Sequence, residues 1–330
     1  MGFKKYLAQK TTVYLITFVF AVTLNWLLPR LMPGNPIEAM IESNLNLAPG
    51  EKEILIKFYE DLYGLNEPLW RQFVNFWVRL FHGDLGYSLL YKAPVWDLIR
   101  HALPYDIIIL LPAIALSWIV GNWLGAIAGK NRRYDRYMMP LFYFLASMPY
   151  FWFAMLLVYF IGVKLGWLPY QGAYDPALVP GFNWEFIKSF MEHWILPFLS
   201  LFVVMIGSWA IGMRNMIIYE LEADYVRYLE ALGASEKLMT KHAYRNAILP
   251  QVTGLALQLG LMVAGAIATE IVFNYPGIGI LLMNAALSQD YFLLQGAFLM
   301  VVISVLAANF IIDIVYAFID PRVRASYTEG

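Results

Sequence analysis

Six stretches of this sequence are long and apolar enough to cross a lipid bilayer as helices. A hydrocarbon core of about 30 Å is spanned by about 20 helical residues. The windows of that length occupy roughly residues 11–29, 107–129, 139–163, 195–213, 252–272 and 297–319. Because a backbone in lipid must satisfy its own hydrogen bonds, they predict an all-α integral membrane fold with six transmembrane helices.

The composition agrees with a membrane location and excludes several functions. Charged residues make up 14% of the chain and hydrophobic residues 60%, whereas about a quarter of an average soluble domain is charged. A net charge of -1 provides no basic field for nucleic acid. The absence of cysteine excludes disulfides and thiolate chemistry, and the four histidines lack metal-ligand spacing, so no metal site is predicted.

The distribution of Lys and Arg predicts the orientation, because short loops rich in these residues stay cytoplasmic. Basic residues are frequent in the N-terminal tail, in the 130–138 and 214–250 loops and in the C-terminal tail. The short loops on the opposite side hold only Lys164 and Lys188. Both termini are therefore predicted to be cytoplasmic.

The long segment between the first two windows then lies outside. Its apolar residues recur at helical spacing, with turn signals such as Gly64 and Gly83 between them. Three parts are predicted: a tail and first transmembrane helix (1–29), an external helical segment (30–105), and a core with five transmembrane helices (106–330).

The stretch "GAIAGKN" at residues 125–131 invites comparison with a phosphate-binding loop. That motif needs four residues between its glycines and a Ser or Thr after the lysine. Gly125 and Gly129 are one residue too close, and Asn131 offers no hydroxyl. We expect a turn at the membrane edge here, and no ATP site in this chain.

The charged stretch "EADYVRYLEALGASEKLMTKHAYRNAILPQVTG" interrupts the apolar windows between the fourth and fifth spans. Tyr225, Leu229 and Leu232 recur at helical spacing and predict a short amphipathic helix that ends at Gly233. Ser235 then suits the N-cap of a second helix. A 214–250 loop with this pattern either lies at the lipid headgroups or docks a partner.

The same stretch resembles the cytoplasmic coupling loop of ATP-binding-cassette (ABC) importer permeases. Gly233 followed by Ala234 matches the loop's central pair, and "HAYRNAILP" matches its ending in the oligopeptide, dipeptide and nickel branch. Where other branches have Glu-Ala-Ala, this chain has Arg227, Tyr228 and Leu229, and Pro250 lies further from the glycine, as is typical of this branch.

Further blocks extend the resemblance over nearly the whole chain. They are "LPRLMPGNP", "YGLNEPLWRQFVNFWVRLFHGDLGYS", "RHALPYDIIILLPAIAL", "LASMPYFWFAMLLVYF", "EIVFNYPGIGILLMNAALSQDY" and "DPRVR". We identify the chain as similar to permeases of this branch, which reside in the prokaryotic cytoplasmic membrane.

The resemblance implies transport by alternating access in a larger assembly. A second, homologous permease completes the pathway as a heterodimer within membrane lipid, and an external solute-binding protein delivers the ligand. Two ABC ATPase subunits carry the ATP and Mg²⁺, so this chain needs no cofactor of its own. The residues that couple to them are Tyr228, Leu229, Glu230, Ala231, Leu232, Gly233, Ala234 and Ser235.

Four residues within or beside the windows are candidates for the pathway. Glu270 is a carboxylate within the predicted fifth span, and such groups usually face a cavity or a partner; a helix contact is the alternative. Phe151, Trp152 and Trp209 belong to aromatic clusters, most of which are expected to be interfacial or packed. Aromatic rings in a pathway stack on sugar rings and on apolar side chains alike.

The substrate therefore stays open at the level of sequence. Peptides are the first expectation for this branch, and oligosaccharides or nickel are the alternatives. An ion-gradient-driven secondary transporter is a more remote alternative, because such proteins usually show internal repeats and several intramembrane ionisable groups.

Overall fold

The structure is a computed structural model that describes residues 2–31, 37 and 49–319, and it is almost entirely helical there. Two strands of two residues each, β1 (Tyr87–Ser88) and β2 (Ala93–Pro94), pair antiparallel with Tyr87 opposite Pro94. The helices are α1 (Gly2–Leu27) with a 3₁₀ turn (Leu28–Leu31), α2 (Pro49–Tyr63), α3 (Leu69–Phe81), α4 (Val95–Lys130), α5 (Arg132–Ser147), α6 (Tyr150–Leu157) with a π-helix (Val158–Lys164), α7 (Trp184–Leu221), α8 (Asp224–Ala231), α9 (Glu236–Phe273), α10 (Ile278–Leu287) and α11 (Tyr291–Ile319).

All six apolar windows are helical apart from a break at Met148 and Pro149 in the third, and the all-helical membrane fold is confirmed. Four described helices are long and apolar enough to cross a membrane, and the count reaches six if two broken helix pairs are each one span. The helical segment predicted after the first span is also present, as α2 and α3. Two of the sequence blocks lie at least partly outside the described residues. All of "DPRVR" does, and so do residues 32–36 of "LPRLMPGNP".

The third window, 139–163, is not one straight helix. α5 and α6 meet at 96°, and the break lies at Met148 and Pro149. Proline has no N–H to donate and disfavours the helical conformation of the residue before it. Met148 is accordingly extended, with φ -80° and ψ 124°, so the bend follows from local sequence.

Helices outside the membrane windows are longer than the sequence pattern indicated. Most of the predicted 214–250 loop is helical, since α7 continues to Leu221 and α9 begins at Glu236 and passes through Pro250. The residues between helices there are only 222–223 and 232–235. Hydropathy marks where lipid contact ends, whereas a helix continues as long as its backbone and side chains are stabilised in water.

The turn predicted at "GAIAGKN" is wrong, because Gly125 to Lys130 belong to α4. A Cβ on Gly125 would overlap the carbonyl oxygen of Ala210 in α7, and one on Gly129 would overlap the side chain of Ile217. These glycines therefore allow two helix backbones to approach closely. Asn131, which follows α4, caps α5: its side chain accepts a 2.8 Å hydrogen bond from Arg133 N.

The chain forms two compact units, residues 1–105 with 276–307 and residues 106–275 with 308–330. In the first, Asn25 Nδ2 donates to Gln295 O at 2.9 Å and joins α1 to α11. In the second, α7 packs on both α5 and α9. Its core includes Met213 and Ile217 from α7 against Ala243 and Ala247 from α9.

Candidate functional site

The predicted coupling loop is a helix, a glycine and a second helix, as the sequence pattern indicated. α8 ends at Ala231, and Gly233 adopts φ +78°, the left-handed conformation that glycine reaches at low cost. Gly233 N and Ala234 N donate to the carbonyls of Glu230 and Leu229 at 2.9 and 3.0 Å. Ser235 caps α9 by accepting from Leu238 N at 3.4 Å.

The apolar face predicted for α8 is only partly correct. Val226 is the buried residue of the helix at 6% exposure, and Tyr225 and Leu229 are half-buried beside it. Leu232 was expected on this face but is 66% exposed, because it lies past the end of the helix, at the turn into Gly233. Tyr228 is exposed to the same extent, so two large apolar side chains point away from the chain's own core.

Two polar contacts connect the loop region to the helices around it. Tyr225 Oη donates to Glu220 Oε2 at 2.7 Å, joining α8 to α7. Burial and then this bond to a carboxylate raise the pKa of Tyr225 above its usual 10.0. Arg214 in α7 binds Asp135 in α5 with two hydrogen bonds, Nε to Oδ1 at 2.8 Å and Nη2 to Oδ2 at 2.5 Å. Such forked pairs hold their orientation well.

A cavity of about 300 Å³ lies among α6, α7 and α9. None of the lining residues that the structure describes is charged. The Trp209 ring packs on Gly254, where a Cβ would come within 3.1 Å of it, and the Trp118 indole N–H donates to Gln251 O at 3.0 Å. The lining residues are Tyr150, Met205, Ser208, Trp209, Gln251, Gly254 and Gln258.

Only one of the four predicted pathway residues lines this cavity. Trp209 does, whereas Phe151 and Trp152 are exposed elsewhere on the surface of α6. Glu270 is 3% exposed and lies in a tightly packed pocket with Asp106, which is 5% exposed. The structure thus does not bring Glu270 together with Trp209.

Sequence reasoning missed Tyr150, Gln251 and Gln258 in the cavity, and it missed the Arg214–Asp135 pair. Gln258 carried a usable signal, because an amide inside an apolar window needs a polar partner or a cavity. The ion pair joins residues 79 positions apart, and nothing local in the sequence indicates such a contact.

The comparisons with known proteins agree with this architecture. Residues 121–325 match the family described as "Binding-protein-dependent transport system inner membrane component". The chain is 31% identical to the di/tripeptide transport system permease protein DppB of Pseudomonas aeruginosa, over 97% of this chain and 98% of that protein. It is 32% identical to the glutathione transport system permease protein GsiC of Escherichia coli K12, over 96% and 97%.

The chain is also 32% identical to the oligopeptide transport system permease protein OppB of Haemophilus influenzae, over 97% of this chain and 99% of that protein. The resemblance seen in the sequence is confirmed, and with it the multi-pass location in the inner membrane. The family is the transmembrane component of its transport systems and lacks an ATPase domain. This chain belongs to the family of binding-protein-dependent transport system inner membrane components.

Proposed function

We propose that the chain is the permease subunit of an ABC importer that moves di- and oligopeptides across the cytoplasmic membrane by alternating access. The observation that carries the substrate class is the match over nearly the full length to di/tripeptide, oligopeptide and glutathione permeases. The uncharged cavity beside Trp209 supports it, because its amide groups suit a peptide backbone and its rings suit apolar side chains. Trp209, Gln251 and Gln258 are the proposed pathway residues.

The assembly we propose has a second, homologous permease, two ATPase subunits and an external solute-binding protein. Both termini of this chain face the cytoplasm, and the segment 30–105 is external to a core at 106–330. ATP and Mg²⁺ bind in the ATPase subunits, where hydrolysis supplies the free energy. This chain contributes the pathway and the surface on which that energy is received.

The coupling surface is the tip of the loop from Tyr228 to Ser235. The exposed Tyr228 and Leu232 suit a hydrophobic cleft of an ATPase subunit, while the buried Val226 anchors α8 to this chain. A displacement of α8 acts on α7 directly, through Tyr225 and Glu220. α7 also carries Trp209, so the same helix connects the loop and the cavity.

The substrate class is tested by ATP hydrolysis in the reconstituted complex with its binding protein. Separate panels of mixed peptides, β-linked oligosaccharides and nickel salts are compared. Stimulation by peptides alone is expected. Stimulation by oligosaccharides or nickel alone would replace the substrate assigned here, and transport without any ATP hydrolysis would favour a gradient-driven transporter.

Coupling is tested with Tyr228→Ala combined with Leu232→Ala. These side chains are exposed, so we expect normal membrane insertion but loss of ligand-stimulated hydrolysis and of ATPase subunits on purification. Tyr219→Ala is the matched control, because this tyrosine is 71% exposed on α7 and lies outside the coupling surface from Tyr228 to Ser235. Equal effects of the control and the double variant would contradict the assignment of the docking surface.

A further inference from the structure

A second cavity, in the unit formed by residues 1–105 and 276–307, is lined by α3 and α11. Its volume is about 60 Å³. One water molecule needs about 10–15 Å³ measured in this way, so the cavity has room for a group of several heavy atoms. Its polar lining residues are Arg30, Gln72, Asn75, Arg79, Asp84 and Gln295.

Arg30 presents unused hydrogen-bond donors at this cavity. Its guanidinium stacks on the Trp26 ring, 3.9 Å from the centroid. Nε and Nη2 donate to Gln72 Oε1 at 3.3 and 3.0 Å, and Nη1 donates to Trp26 O at 2.8 Å. Because a guanidinium has five N–H donors, one on each Nη is left after these bonds to the described residues. None of the described residues places a carboxylate within ion-pair distance of Arg30.

Arg79 adds a second guanidinium to the same lining. Its Nε donates to Asp84 Oδ2 at 2.9 Å, and the group lies 5.1 Å from the centroid of the Phe292 ring. The described lining therefore holds two cationic groups and one carboxylate. A monovalent anion would balance this charge.

The rest of the lining strengthens such an interaction. Phe76, Leu80, Phe292 and Leu299 surround the polar groups with hydrocarbon, and an apolar surrounding lowers the local dielectric constant, which increases attraction between opposite charges. Asn75 and Gln295 add neutral amides to the guanidinium donors. Gln295 is itself 6% exposed and is held by its Nε2, which donates to Trp26 O at 3.3 Å.

We propose that this cavity is a binding site for a carboxylate, held by the guanidinium groups of Arg30 and Arg79. The planar fork of an arginine matches the two oxygens of a carboxylate, and the volume fits one carboxylate with its adjoining carbon. The site is separate from the uncharged cavity beside Trp209, and it does not depend on which substrate crosses the membrane. Its ligand is either a free small carboxylate or a carboxylate carried on a larger chain.

The test measures thermal unfolding of the full-length chain in its assembled complex, in nanodiscs, by tryptophan fluorescence. Sodium acetate replaces sodium chloride at constant ionic strength, and acetamide serves as the neutral isostere. A ligand that binds only the folded state raises the unfolding temperature in a saturable way. We expect acetate to do so and acetamide not to. N-acetylaspartic acid N-methylamide shows whether a carboxylate on a chain enters: a shift equal to that of acetate assigns a chain-borne ligand, and a shift with acetate alone assigns a free anion.

Arg30→Gln and Arg79→Gln are each expected to abolish the acetate effect. Arg71→Gln is the matched control, because Arg71 is on α3 but does not line the cavity. Arg30→Lys keeps the charge and loses the fork, so the acetate concentration for half-effect should rise by about tenfold. A saturable acetate signal in saturation-transfer NMR checks binding directly if a variant unfolds. Equal shifts with acetate and acetamide, acetate shifts that persist in both glutamine variants, or no saturable acetate effect on the natural sequence would overturn the proposal.

Discussion

At the scale of single residues, Asp290 shows how one buried carboxylate positions several parts of the chain. It is 2% exposed and accepts hydrogen bonds from Ser88 Oγ at 2.6 Å, from Leu90 N at 3.0 Å and from Leu293 N at 3.1 Å. The last of these caps α11. A carboxylate this deeply buried is stabilised only because its oxygens are used.

We therefore expect Asp290→Ala to destabilise the protein by about 3 kcal/mol or more, because three donors lose a charged acceptor. Asp97→Ala is the control, since Asp97 is 46% exposed in an i,i+3 pair with Arg100 at 3.3 Å, and such surface pairs contribute little. Thermal unfolding in detergent compares the two. Similar losses in both variants would show that the hydrogen bonds of Asp290 are not what stabilises this region.

The lowered pKa of Asp84 leads us to expect that its contribution to folding stability is lost at acid pH. Burial acts to raise its pKa, but the bonds from Arg79 Nε at 2.9 Å and from Gly86 N at 2.8 Å outweigh burial and lower the pKa below 3.8. A lowered folded-state pKa gives a contribution that is full above the unfolded-state pKa and is lost as pH falls through the folded value.

The difference in unfolding temperature between the natural sequence and Asp84→Asn should therefore be present at pH 7 and shrink as the pH falls below about 3.8. The measurement is a pair of unfolding curves over a pH series. A difference that stayed constant down to about pH 2 would show that the Asp84 charge does not contribute. The effect should be modest, because 54% of the side chain is exposed.

At the scale of elements, a row of glycines decides how α4 packs on α7. Gly121, Gly125 and Gly129 recur every four residues and so lie on one face of α4. A Cβ on Gly121 would come 2.5 Å from Trp209 Cβ, and those on the other two would overlap α7 as described above.

Gly125→Ala should force the two helices apart and destabilise the chain by about 1–3 kcal/mol. Gly50→Ala in α2 is the control, because nothing lies within 4 Å of its Cβ position and alanine is the better helix former. Unfolding in a denaturant series measures both. If Gly125→Ala were as stable as the natural sequence, the close approach of α4 and α7 would not be the reason for this glycine.

The break between α8 and α9 depends on Gly233 for a different reason. A Cβ added at Gly233 would meet no atom within 4 Å, but the φ of +78° is a strained backbone conformation for any residue that has a side chain. Gly233→Val should leave membrane insertion intact and reduce ligand-stimulated ATP hydrolysis, because the turn must change to relieve about 1–2 kcal/mol of strain.

Gly233→Asn should retain more coupling than the valine variant, since asparagine tolerates the left-handed region better than other residues. Hydrolysis by the reconstituted complex, with and without ligand, gives the comparison. Unchanged stimulation in Gly233→Val would argue against the loop as the element that transmits motion.

At the scale of the whole molecule, the proposed orientation can be tested because the sequence contains no cysteine. Single cysteines are introduced at Tyr228, in the coupling loop, and at Trp167, which is 72% exposed between the third and fourth spans. A membrane-impermeant maleimide added to intact cells should label only Trp167→Cys. Labelling of Tyr228→Cys should need permeabilised cells. The reverse pattern would place both termini outside.

Several features of this protein could be read directly from the sequence. All six windows are helical apart from the break at Met148 and Pro149, and the helix that stops near Gly233 and the cap at Ser235 are present. These features depend on the transfer of apolar residues into lipid or on short-range backbone chemistry, and both depend on residues close together in the chain. The exposure of Leu232 was not predicted. Helical spacing places it on the apolar face of α8, but the last helical residue is Ala231 and Leu232 lies in the turn that follows.

What the sequence determined by itself was the membrane class, the approximate spans and the family. Each is a property of local composition or of ordered motifs. The packing of the helices was needed to show that Gly125 and Gly129 are packing positions, that Glu270 lies with Asp106 apart from the Trp209 cavity, and that Arg214 binds Asp135. The reason is physical: these contacts join residues distant in the chain, and their free energy depends on which helices meet rather than on the sequence around either partner.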